Sequence, residues 1–264
     1  MSDPLDLDPY AMWLHALGEA DRVFASPPDL DRPVGGCTYC TPESELHILG
    51  GDPAAVPDDL LGHFMREVVN HWDADQYPVL WRRLMPRALR YWGPEGNDTD
   101  RSLELGHLGQ FGARFVDWPA PERAVVEQAF RALLALALVD GRPAGDITDL
   151  LEGIAHATGD LEPWLEHIAG LSGPAADAGL VRIAFGWATD LLWEDLQLSW
   201  WYDGDPQAIA AWLPTQRARI TTFATHHPRC KTAADALIAI DRIQAGDHSP
   251  WSYPYSGKFL RLAP

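Results

Sequence analysis

Lysine, cysteine and long apolar runs are all scarce in this sequence. Of its 264 residues only Lys231 and Lys258 are lysines, and basic residues of either kind number 20 against 38 Asp and Glu, a formal net charge of -18. A surface so acidic repels phosphate backbones and anionic lipid, which excludes nucleic acid and the membrane surface as main partners. Arg82, Arg83, Arg87 and Arg90 cluster in sequence but are outweighed by the acid elsewhere. The longest aliphatic run, Ala132 to Val139, falls far short of the roughly 20 residues needed to cross a bilayer. The first residues, MSDPLDLDPYAMW, lack the basic start and apolar stretch of a secretory signal, so a cytoplasmic location is expected. Three cysteines, Cys37, Cys40 and Cys230, cannot close a disulfide framework. Catalytic signatures are scarce too. The chain has no GxSxG elbow, no GxxxxGK[ST] or GxGxxG phosphate loop, no HExxH and no paired ExxH segments. Whether it is an enzyme stays open.

What the sequence does have is helical periodicity. With 47% apolar residues it has material for a real core. Leu60, Leu61, Phe64, Met65, Val68, Val69 and Trp72 recur at helical spacing and predict one helix over 58–72, with Asp58 and Asp59 at its positive end. The next helix, 76–92, contains Pro86, which should kink or divide it. Helices are further predicted over 9–24, 121–140, 146–157, 161–169, 174–196, 206–213, 215–226 and 231–243, separated by Gly and Pro. Alternating β-branched runs are nearly absent. The expected fold is all-α, built of irregular helical hairpins arranged as a HEAT-like superhelix or as a compact helical domain. We expect one helical domain over 1–244, with a candidate internal boundary near 93–120, followed by an aromatic tail over 245–264.

Three groups of residues could carry chemistry. The first is GGCTYC, where Cys37 and Cys40 have the spacing of a zinc knuckle or a dithiol pair and Gly35 and Gly36 permit a tight turn. His226, His227 and Cys230 are the expected second half of a structural zinc site joining the two ends of the chain. A redox dithiol and a pair of incidental thiols are the other readings, the redox one weakened because the preceding text reads as loop. The second group is the row His63, Glu67 and His71 on one flank of the 58–72 helix, where imidazoles and a carboxylate can bind metal and Asp73 or Asp75 can join; its position beside the apolar stripe also suits plain solvent-facing polar residues. The third is the aromatic and acidic stretch 186–205, where Trp187, Asp190, Trp193, Glu194, Trp200 and Trp201 could line a groove for a cationic or planar ligand or simply anchor the core. Glu95, Asn97, Asp98 and Asp100 match no metal-loop register.

The cysteine pair followed by YPVLWRRLMPRALRYW, together with the late segment AIAAWLPTQRARITTFATHHP, resembles a loosely defined group of uncharacterised bacterial helical proteins. The resemblance spans about 25–240 and implies an all-helical fold; it implies no activity. The leading functional expectation is a regulatory scaffold that binds a protein with a basic face. The alternatives are a small-molecule-binding protein or enzyme with a Trp- and acid-lined cleft, and a structural zinc-binding protein.

Overall fold

The computed structural model describes residues 8–94, 101–109, 111–193 and 205–247. Its order is α1 (Pro9–Val23), α2 (Glu43–Gly50), α3 (Asp58–Arg66), α4 (Tyr77–Trp92), α5 (Arg101–Gly106), α6 (Ala120–Val139), α7 (Ala144–Thr158), α8 (Glu162–Gly170), α9 (Pro174–Leu192), α10 (Asp205–Trp212), α11 (Arg217–His226) and α12 (Lys231–Ala245). No strand occurs among the described residues beyond a single bridge between Gly36 and Trp72. The fold is all-α. No helix among the described residues is long and apolar enough to cross a membrane.

The helix ends follow local chemistry. Asp8 caps α1 through its carboxylate to the Ala11 amide, and Pro9 fills the first helical position, where a missing N–H costs nothing. Gly159 and Gly246 end α7 and α12 in the left-handed region that a side chain disfavours. Pro86 does not divide α4, which runs unbroken from Tyr77 to Trp92. The predicted helix 58–72 does stop short. It ends at Arg66, Glu67 is extended, and a separate 3-10 turn covers Val69–His71.

Packing distinguishes the two expected architectures. A superhelix stacks each hairpin on its neighbours. Here α1 packs along α6, α12 along α9 and α5 along α7, contacts between elements well apart in the chain, so the compact arrangement is the one formed. A hydrophobic core extends from Trp13 to Ile240. Between α3 and α8 it is a relay of rings: Trp72, Phe64, Trp81, Trp92, Phe130 and Trp164, each 5.1–6.3 Å from the next. The α4 arginines that cluster in sequence are spent within the chain. Arg82 pairs with Glu122, Arg83 donates to the Pro28 and Gly51 carbonyls, Arg87 pairs with Asp58, and Arg90 pairs with Asp21. They tie α4 to α6, α3 and α1, and Arg83 alone reaches the irregular segment that carries the cysteines, through the Pro28 carbonyl. The buried Glu104 carboxylate, which would be costly unpaired, accepts from Arg66 and from the Trp92 indole.

Candidate metal centre

The segment before α2 runs antiparallel to the segment between α3 and α4. The Cys37 amide donates to the His71 carbonyl at 2.7 Å, and the Asp73 amide donates to the Gly35 carbonyl at 3.2 Å, on either side of the Gly36–Trp72 bridge. Glycine eases this close approach. A β-carbon on Gly36 would lie 3.0 Å from the His71 carbonyl oxygen, and one on Gly35 would overlap the Asp73 carboxylate. The buried Gln76 side chain fixes the register, accepting from the Gly35 amide at 2.8 Å and donating to the Arg32 and Pro33 carbonyls. Outside, Arg32 bridges Asp73 and Asp75. Its neighbouring carboxylates push the guanidinium pKa up and pull that of Asp75 down, although such exposed pairs add little stability.

After Gly36 the chain folds into a tight turn, the Cys40 and Thr41 amides both donating to the Cys37 carbonyl. This turn brings the second thiol back over the first. Cys37, Cys40 and His71, all half-buried, then place one donor atom each within 4.8 Å of one another. Two sulfurs and an imidazole nitrogen at such separations form three corners of a site for a borderline-soft divalent ion, zinc above all. The thiols are unequal. Cys37 is held below the usual thiol pKa by the Cys40 and Tyr39 amides and by the Cys40 thiol, while burial and the hydrogen bond to Cys37 push Cys40 up. Glu67 lies close enough to oppose thiolate formation at both. A bound cation would reverse that balance and hold both as thiolates.

Around these donors sits a polar collar. Glu67 Oε1 lies 2.8 Å from His71 Nδ1 and accepts the Val68 amide, although the carboxylate is off the axis of a hydrogen bond to the ring. Its other oxygen is 3.6 Å from His63 Nε2, which in turn is 3.1 Å from the Thr41 hydroxyl. Gly35, Gly36 and Thr38 also form one wall of a hollow of about 710 Å³, closed by Leu46 and His47 of α2.

The row His63, Glu67 and His71 does meet, through a helix end and a 3-10 turn and not along one continuous helix. The remaining expected residues lie elsewhere. His226 and His227 border a hollow with Asp177 and Arg219 between α9 and α11, and Cys230 stands at the start of α12; none of the three belongs to the group formed by Cys37 and Cys40. Trp187 is fully buried, donates to the Thr148 hydroxyl at 2.6 Å and packs edge-on against Trp212. Trp193 is half-buried against the core and Asp190 half-buried on α9. Glu194, Trp200 and Trp201 lie outside the described residues, as do 95–100 and the tail beyond 247. Thr41 and Gln76 carry no signal in the sequence that marks them as part of the site.

No family model matches the chain, and comparison with curated proteins and with solved structures gives no match either. The molecule is thus defined by what it contains, an all-helical fold with a cysteine pair and a Cys2His cluster.

Proposed function

We propose that this protein binds a zinc-class divalent metal ion through Cys37, Cys40 and His71. The convergence of the three donor atoms within 4.8 Å carries the reading. Two thiolates and one imidazole favour zinc over the hard ions magnesium and calcium, which take oxygen ligands. A partner-binding scaffold is the weaker reading. Among the described residues the most exposed large apolar side chains, Tyr39, Phe111, Val68, Leu14 and Ile238, come from separate stretches of the chain.

The test is metal analysis of the full chain purified without added zinc, beside Cys37→Ser, Cys40→Ser, His71→Ala and Cys230→Ser. We expect about one zinc per chain, lost in the first three variants and kept in Cys230→Ser. Zinc kept by His71→Ala and lost from Cys230→Ser would instead support a site joining the two ends of the chain. A metal-free protein that takes up no zinc on titration would reject metal binding altogether.

A further inference from the structure

Building on the metal-binding reading, we infer that the ion's fourth position is filled by an exchangeable ligand from solution, and that a small thiol can occupy it. Zinc in these donor sets takes four ligands, and sites that keep one for water or substrate have three protein donors. Among the described residues the converging group stops at three.

The nearest side chains that could complete it are already engaged. One oxygen of Glu67 accepts the Val68 amide and faces His71, and the other faces His63. His63 Nε2 lies at hydrogen-bond distance from the hydroxyl of Thr41, whose backbone amide is held by the turn that positions Cys40. To reach the metal, either group would have to give up those contacts. Access is open to a molecule from solution, because Cys37, Cys40 and His71 are each only half-buried. The class of ligand follows from the donors. An ion already bound to two sulfurs is softened towards a third, so a thiol binding as thiolate should displace water where a simple alcohol should not. The step is an exchange in which the metal–water bond breaks, a metal–sulfur bond forms and the thiol proton leaves to solvent. Nothing is oxidised.

Cobalt(II) in place of zinc makes both claims visible. The full chain is loaded with cobalt and freed of reductant, then titrated with 2-mercaptoethanol, with ethanol as the control. We expect a sulfur-to-cobalt charge-transfer band from the two cysteines at the start. It should grow saturably by about half as a third thiolate joins, with the ligand-field bands shifting together and no response to ethanol. A strong initial band that mercaptoethanol leaves unchanged means that the protein fills all four positions, which overturns this inference and leaves metal binding intact. A band that disappears as mercaptoethanol extracts the cobalt also overturns it. Failure to develop a charge-transfer band on loading rejects the metal site itself. Cys40→Ser provides the calibration, since its starting band should be about half that of the parent.

Discussion

Two regions of this molecule are packed by opposite means. Around α3 and α4 the core is made of rings, with Phe64 touching Trp72, Tyr77 and Trp81 at centroid distances of 5.1–5.6 Å. Along α9 and α12 small residues recur among larger ones such as Leu180, Trp187 and Ile240: Ala176, Ala184 and Ala188 on one helix, with Gly179 turned to Leu138 of α6, and Ala233, Ala236 and Ala239 on the other, nearly all without solvent exposure. Small side chains let helix axes approach closely, and the packing leaves little room for anything else. Large rings keep elements apart, and the space between them is filled by short non-helical segments whose polar groups are paired by side chains such as Gln76. The candidate metal centre lies on the ringed side. Donors from two segments can converge there because neither segment is committed to a helix along its whole length.

The strongest way to break this comparison is to remove a ring. Trp81 is fully buried and touches Phe64, Tyr77 and Trp92. Trp81→Ala is expected to cost about 3–5 kcal/mol, read as a lower midpoint in urea unfolding, because the transfer loss and the cavity add together. A loss below about 1 kcal/mol would mean that the relay collapses freely around the gap and is not the spacer described here. The corresponding test on the other side adds volume. A β-carbon on Gly179 would overlap the Leu138 carbonyl oxygen, which also accepts from Arg182 and cannot easily retreat. Gly179→Ala should therefore destabilise by about 1–3 kcal/mol, against the gain that alanine normally brings inside a helix. A stabilised variant would show that α6 and α9 can separate at no cost, so that close approach is not what holds this side together.

Much of the fold was legible in the sequence. The helical periods and the Gly and Pro punctuation place nine of the twelve described helices within a few residues, as at 120–139 and 205–212. What escaped has local causes. The short helices Glu43–Gly50 and Arg101–Gly106 offer too few turns for a period to register. The apolar pattern of 58–72 continues through Val69 and Trp72 although the helix stops at Arg66, because those two side chains still pack on the core from a 3-10 turn and an extended path, while Val68 is exposed. The site was legible in pieces. The cysteine spacing and the row His63, Glu67, His71 both stand out from the residues alone. Their union depends on a backbone pairing between 35–37 and 71–73 set by Gln76 and two close-approach glycines, and such long-range register leaves no periodic trace.

The smallest effect expected sharpens the comparison through protons. Two histidines are set against backbone carbonyls along the ringed side: His107, buried, on Met65, and His167 of α8, half-buried near Trp164 at the far end of the relay, on the Arg131 carbonyl of α6 at 2.9 Å. Burial holds both below the ordinary imidazole pKa and outweighs the hydrogen bond, and for His167 the Arg131 charge, stacked over Trp164, adds to the depression. The unfolded chain takes up a proton near pH 6.5 while the folded protein resists it. The contribution is therefore complete above about pH 6.5, shrinks as pH falls through the window between the unfolded and the lower folded value, and levels off beneath both. His167→Gln keeps an N–H for the Arg131 carbonyl and removes the titration. Its unfolding free energy should fall less between pH 7 and pH 5 than that of the parent. An unchanged slope would show that water reaches the His167 ring, and that the seam between α6 and α8 is wetter than its packing implies.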